Sequence, residues 1–390
     1  MHDFTPLAVW LREEAQPAAA VAVEAPPRVQ EDSSGDELTG ELRAQLRRLR
    51  TALGLGRAFD AKGAPLDGGP AAPGLPAFID RGVALPLQRR AIDAPLWTGV
   101  TCIDALLTIG RGARVGIFGA PGVGKSTLLE TIVSGAGADA VAVGLIGERG
   151  REAQRWIAAR DERTTVICAT SDRPAEERVR AAEVLVAHAG TLAAGGLHVL
   201  VVLDSLARYG YALRELSVAR GESVGRGGYP PSVFARMAQL VERAGAFAAG
   251  SITMIATVLS DGEERDPVSD AARSLLDGHL ALSAKLAEAG RFPAVDVLGS
   301  ASRTMDAVAT PAHAGAAARI RAALACLSRC EDARSLGIEP EDPATRAAIA
   351  AEGGLEALLR QGRDPIGAAR VLEALHQTAD MLGEGHGHHI

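Results

Sequence analysis

The sequence predicts an α/β fold: a mainly parallel sheet covered by helices, followed by an α-helical C-terminal part. Three observations predict it. Short, near-continuous apolar runs recur through the middle of the chain, as strands buried on both faces require. A glycine-rich segment, Gly119 to Ser126, lies between one such run and a stretch with helical spacing. From about Ala314 the apolar pattern turns wholly helical, with Ile320, Leu324 and Leu327 on one stripe.

Residues 1–37 are acidic and rich in Ala, Pro and Glu, and Ala15 to Asp36 has the composition of a disordered segment. Within this tail Thr5 can cap a short helix with Pro6 at its first position, and Leu7, Trp10 and Leu11 would share one face. That stripe reads equally as a peptide that docks on a partner and as a short helix packed on its own domain. Leu38, Leu42, Leu46, Leu49 and Leu53 recur at helical spacing, with Arg43, Arg47, Arg48 and Arg50 between them. They predict an amphipathic helix that packs on the body of the protein. Residues 54–95 hold many Gly and Pro and read as loops with short strands, so 38–95 form a connecting part. Residues 96–313 alternate strands and helices: residues 113–118, 141–146, 165–169, 198–203 and 253–258 are the predicted strands. Residues 314–390 form a helical C-terminal domain. The closing Gly-His-Gly-His-His has metal-binding residue types, but a solvated tail is the plainer account.

Composition narrows the function. A hydrophobic content of 47% supports a substantial core, and aromatics at 3% leave Ala, Val and Leu to fill it. A net charge of −7 gives no basic footprint for nucleic acid. No run of 18 or more apolar residues predicts a membrane-spanning helix, and the N-terminus has no secretory signal pattern. Cys102, Cys168, Cys326 and Cys330 lack metal-ligand spacing and read as reduced packing residues. A cytoplasmic protein is expected.

Gly119-Ala120-Pro121-Gly122-Val123-Gly124-Lys125-Ser126 fits the phosphate-binding P-loop pattern. Its glycines let backbone amides converge on phosphate oxygens, and the helix that follows through Thr127 adds positive potential at its N-terminus. Lys125 is placed to reach the β- and γ-phosphates, and the Ser126 hydroxyl to hold Mg²⁺. Lys62, Lys125 and Lys285 are the three lysines among 41 basic residues, and one of them falls where a P-loop needs it. The run His198 to Leu203 ends in Asp204, a Walker B form in which the carboxylate holds Mg²⁺ through water. Between these motifs, Glu148 leaves a predicted strand with Arg149 beside it. Glu148 is the candidate that positions the attacking water, and Arg149 is grouped with it as a candidate catalytic residue. The plain alternative is that the two side chains pair with each other. Arg303, on a predicted turn after a strand, is either a surface charge or an arginine finger for a neighbouring subunit.

Together these blocks resemble the type III secretion ATPase family, which includes the flagellar export ATPases and is homologous to rotary ATP synthase catalytic subunits. The carrying segments are Gly99-Val100-Thr101-Cys102-Ile103-Asp104-Ala105-Leu106-Leu107-Thr108 with the P-loop, Ile146 to Glu152, and Asp204-Ser205-Leu206-Ala207-Arg208. Further matches are Gly228-Tyr229-Pro230-Pro231-Ser232-Val233-Phe234, Ser251-Ile252-Thr253, and Asp266 to His279 with its Leu-Leu-Asp-Gly-His block. The resemblance covers roughly residues 54–382. It implies a RecA-like core and a homo-hexameric ring with ATP at subunit interfaces. By position, it implies Lys125 and Ser126 as P-loop ligands, Glu148 as catalytic glutamate, Asp204 as Walker B aspartate and Arg303 as the trans-acting finger. It implies stator and central-stalk partners, chaperone–effector complexes at the C-terminal helices, and a place at the cytoplasmic face of the inner membrane.

The chain departs from the family pattern in three places. The family's N-terminal β-barrel is truncated or absent as read here, since the segment resembling its end (Gly56 to Asp60 through Pro65 to Gly69) starts about fifty residues in. Gly227 stands where the family has arginine before Gly-Tyr-Pro-Pro, with Arg226 one place earlier. Ile338 stands where the family has an aromatic near the adenine. The expected function is ATP hydrolysis energising protein export. Ile103-Asp104 and Gly116-Ile117-Phe118 point to the host-injecting members. A flagellar export ATPase and a catalytically weak ATP-binding scaffold are the alternatives.

Overall fold

The computed structural model describes residues 53–71, 89–259, 266–338 and 340–383. The Trp10 stripe, the expected helix from Leu38 through Arg50 and the histidine tail lie outside the described residues. Leu53, the last leucine of that helix, stands in a turn and packs against the core.

The first half of the described chain gives β1 (Ala58–Asp60), β2 (Pro95–Leu96), α1 (Thr101–Leu106), β3 (Ile109–Gly110), β4 (Arg114–Gly119), α2 (Lys125–Gly135), β5 (Ala140–Ile146), α3 (Gly150–Ala159) and β6 (Thr164–Ala169). There follow α4 (Ala175–Ala194), β7 (His198–Asp204), α5 (Leu206–Ala219), α6 (Pro231–Val241), β8 (Gly245–Ala246), β9 (Ser251–Leu259), α7 (Pro267–Leu275), β10 (Gly278–Leu282), α8 (Ala284–Glu288) and β11 (Val295–Ser302). The chain then turns helical: α9 (Met305–Val308), α10 (Pro311–Ser335), α11 (Pro343–Ala350), α12 (Glu352–Leu359) and α13 (Ala368–Met381).

One large sheet runs β1-β6-β5-β7-β9-β4-β10-β11, with β8 beside β9. From β1 to β10 the path is parallel; β11 on β10 and β8 on β9 are antiparallel. This is the expected α/β fold. The segment read as the end of a barrel contributes β1, which pairs with β6 and extends the main sheet.

The central strands are buried on both faces because alternate residues feed two different cores. Leu200 and Val202 of β7 pack with α1, α2 and the C-terminal helices. Val199, Val201 and Leu203 of the same strand pack with α4, α5, α6 and α7. That two-sided burial is why these segments read as unbroken apolar runs. Helix starts follow cap chemistry. The Asp266 side chain accepts from the amides of Val268 and Ser269 with Pro267 next, and Thr310 and Asp342 cap α10 and α11 ahead of Pro311 and Pro343.

The loop after α12 joins the C-terminal helices to the core. Gln361 Oε1 accepts from the Thr101 amide at 2.7 Å and the Thr101 hydroxyl at 2.9 Å, and Gln361 Nε2 donates to Gly99 O at 2.7 Å. Among the described residues no helix is long and apolar enough to cross a membrane. All four cysteines are free, with Cys102, Cys168 and Cys326 buried.

Candidate functional site

The strand order brings the chemistry to one edge. The chain goes from β4 to β5, yet β9 and β7 lie between them in the sheet. Parallel sheets bind ligands in the crevice at the carboxyl ends of their strands, where the winding changes direction. The P-loop leaves β4 there, Glu148 lies two residues past β5, and Asp204 ends β7.

Gly124 caps α2 with φ +96°, a left-handed conformation that favours glycine, and Gly122 has φ +86°. The first turn of α2 carries no acidic residue, so the amides of Lys125, Ser126 and Thr127 present an uncompensated positive end. Helix α2 starts at Lys125, so the last two residues of the P-loop pattern open its first turn. Lys125 Nζ donates to Gly119 O at 2.6 Å and to Ala120 O at 3.0 Å, which holds the ammonium over the loop it serves.

Glu148 and Asp204 are each 8% exposed. Burial, and next the charge of Asp204, push the Glu148 carboxyl up to about 7. Burial also raises Asp204, against the pull of the Thr257 hydroxyl, which donates to Asp204 Oδ1. The partner of Glu148 is Arg208, with Nε at 2.9 Å from Oε1. That contact lacks the alignment of a hydrogen bond and is purely ionic. Arg208 Nη1 donates to Gly147 O at 2.7 Å, which fixes the guanidinium in place. Arg149 is exposed at the cap position of α3 and makes no pair with Glu148, so the plain alternative of a Glu148–Arg149 pair is not what the chain adopts.

Arg303 lies at the other end of the sheet. Ser302 is registered with Gly278 and Gly278 with Val115, whereas the P-loop begins at Gly119. Four strand residues separate those levels by about 13 Å at ~3.3 Å per residue. The structure therefore brings Lys125, Ser126, Glu148 and Asp204 to one edge and leaves Arg303 at the opposite edge.

Sequence reasoning missed three contributors. Arg208 lies inside a quoted segment but was given no role; it stands three residues beyond Ser205, whose side chain caps α5 at the Arg208 amide. Thr257 meets Asp204 only through the register of β7 on β9. Phe292 is 48% exposed, and its ring lies 3.7 Å from where a Cβ on Gly124 would be. The one available signal for it was an aromatic residue before proline in a chain poor in aromatics.

The residue set suits a hard divalent cation only together with phosphate. Among the described residues no group of three or more His, Cys, Asp or Glu forms a metal cage. A hydroxyl at Ser126 and a buried carboxylate at Asp204 match the sparse oxygen set that Mg²⁺ takes from protein when phosphates complete its shell.

Comparison with known proteins agrees with this geometry. Residues 99–302 match the model of the ATP synthase alpha/beta family, nucleotide-binding domain. A type 3 secretion system ATPase of Sinorhizobium fredii is 44% identical over 321 residues, covering 80% of this chain and 71% of the relative. A flagellum-specific ATP synthase of Salmonella typhimurium is 43% identical, covering 79% of this chain and 70% of that one. The structure of the assembled ATPase EscN with its central stalk EscO, from enteropathogenic E. coli, aligns with a TM-score of 0.77 at 39% identity over 83% of this chain and 81% of that one. With motif, sheet order and sequence in agreement, the chain belongs to the ATP synthase alpha/beta family, in its branch of type III secretion and flagellar export ATPases.

Proposed function

We propose that this protein hydrolyses ATP at the interfaces of a homo-hexameric ring and so energises type III protein export. The observation that carries the reading is a buried carboxyl, Glu148, raised to about 7, at the edge where the P-loop opens. A carboxylate poised near neutrality can accept a hydrogen bond from water and orient it for in-line attack on a γ-phosphate. Arg208 holds that carboxylate on its ion pair. Lys125 exchanges the carbonyls of Gly119 and Ala120 for phosphate oxygens. Ser126 and Asp204 are the residues that would hold Mg²⁺, which offsets charge on the β- and γ-phosphates. Phe292 offers an aromatic face beside the loop, so stacking on the base does not depend on Ile338. Arg149, exposed at the start of α3, is proposed as a further cation near the reacting phosphate.

Arg303 is proposed to act on the neighbour's nucleotide. The register sets it far from its own P-loop, and a ring closes that gap between adjacent copies. By likeness to the relative solved with its stalk, a central stalk is a proposed partner; a stator and chaperone–effector complexes are proposed from the family resemblance alone. The proposed place is the cytoplasmic face of the inner membrane, with no nucleic acid involved. Ile103-Asp104 and Gly116-Ile117-Phe118 favour a host-injecting system. The flagellar reading is the second one, since relatives of both kinds lie at 44% and 43% identity.

Glu148→Gln tests the central claim, because it keeps the shape and removes the charge. ATP binding by calorimetry is expected to persist while turnover falls roughly a hundredfold or more. Turnover within a few-fold of the parent would remove Glu148 from the role of base.

A further inference from the structure

Arg303 is exposed, and among the described residues its guanidinium makes no ion pair and no hydrogen bond. Its backbone, by contrast, is fixed on every side. Ser302 Oγ donates to Thr108 O at 2.6 Å, and Thr304 Oγ1 accepts from the Gly110 amide at 3.0 Å. The Arg303 amide itself donates to Asp277 O at 3.0 Å.

Asp277 in turn is locked to Arg114, the first residue of β4. The Asp277 amide donates to Arg114 O at 2.7 Å. Its carboxylate accepts from the Arg114 amide at 2.9 Å, from Nε at 3.0 Å and from Nη2 at 3.2 Å. The remaining guanidinium nitrogen, Nη1, pairs with Glu242 of the turn after α6, and Glu242 also meets Arg89 at 3.3 Å. A carboxylate held by a two-toothed guanidinium fork is fixed in direction as well as distance. Arg114 begins the same strand that ends in the P-loop.

We propose that Asp277, held by Arg114, is a positioning residue that aims Arg303 at the nucleotide of the adjacent subunit. The proposal rests on the reading of Arg303 as a finger acting in trans. A flexible arginine side chain serves a transition state only if its root is held, and misplacement of about 1 Å can cost ~100-fold in rate. Through Asp277 and Arg114, the root of Arg303 is anchored to β4, the strand that ends in the chain's own phosphate loop. Asp277 and Arg114 touch neither nucleotide. Their effect is carried entirely by where Arg303 stands.

The test uses the full-length protein and pairs of variants. Asp277→Asn removes the charge that the fork grips. It is expected to lower kcat by roughly tenfold or more and to leave the KM for ATP within about twofold. Arg114→Lys keeps the cation but loses the fork, and is expected to do the same if Asp277→Asn folds poorly. Mixed rings then assign the side of the interface. Mixing Asp277→Asn with Lys125→Ala is expected to restore activity, because an intact P-loop then meets an intact neighbour. Mixing Asp277→Asn with Arg303→Ala is expected to restore nothing, because both lesions fall on the finger side. Recovery in that second mixture would assign Asp277 to its own P-loop and overturn the proposal, as would an unchanged kcat. The control mixture of Arg303→Ala with Lys125→Ala separates the two ideas: if it fails to recover despite mixed assembly, the trans reading itself falls and the positioning role falls with it.

Discussion

The Glu148 carboxyl is pushed up to about 7, well above the range it would have in water. Burial and the neighbouring Asp204 favour its protonated form, and the Arg208 guanidinium opposes them. The carboxylate is the form that orients water, so activity is expected to rise as pH climbs through about 7. In a profile of kcat/KM for ATP, the ascending limb should be centred near that value and should vanish in Glu148→Gln. A parent profile flat from pH 6 to 8, read against the value of about 7, would contradict the assignment. At this scale the sequence was legible wherever the chemistry is contiguous. Lys125, Ser126, Glu148 and Asp204 sit in short motifs whose spacing follows from a strand entering a loop. Thr257 and Phe292 reach the site from distant segments, through sheet register and through the loop after α8. No local pattern announces such encounters.

The elements read most clearly were those with two-sided burial. The strands expected at residues 141–146, 165–169, 198–203 and 253–258 form, each starting or ending within two residues of its expected limits. The three-residue β1 and the two-residue β2, β3 and β8 were not individually legible, because their pairing is imposed by partners far along the chain. The loop carrying Gln361 was also unread, and it adds polar bonds to the apolar contact between the C-terminal helices and the core. Besides its bonds to Thr101 and Gly99, the Gln361 amide donates to Phe292 O at 2.9 Å. Gln361→Ala leaves the Thr101 amide and the Gly99 carbonyl without their side-chain partner, a loss of about 1–3 kcal/mol. A lowered urea midpoint is the expected result; the bond to Phe292 O, made by the backbone N–H, is kept. An unchanged midpoint would show that water replaces the amide at no cost.

At the scale of the whole molecule, the proposed role of Arg303, set far from its own P-loop, would make one copy an incomplete catalyst. Each copy carries the proposed phosphate cradle at one end of the strands and, at the other, an arginine with no ion pair among the described residues. Specific ATPase activity is therefore expected to rise with protein concentration, in step with the appearance of hexamers by mass measurement. Activity independent of concentration in a preparation that stays monomeric would show that one copy suffices. Ring formation is the property least legible in the residues themselves. Composition and periodicity describe how a chain buries its own surface, and they carry no record of a copy standing beside it. The resemblance supplied that expectation, and the edge-to-edge placement of Arg303 gives it a physical reason.

Gly227 and Pro267 decide what the turn before Gly-Tyr-Pro-Pro can carry. A Cβ at residue 227 would lie 2.3 Å from Pro267 Cγ, on a backbone with φ +62°. Pro267 in turn is the first residue of α7, directly after its Asp266 cap. A side chain at 227 is therefore opposed here both by the left-handed backbone and by the Pro267 ring. The cation of this segment stands instead at the neighbouring Arg226, which pairs with Asp270 at 3.2 Å and so ties the turn before Gly-Tyr-Pro-Pro to α7.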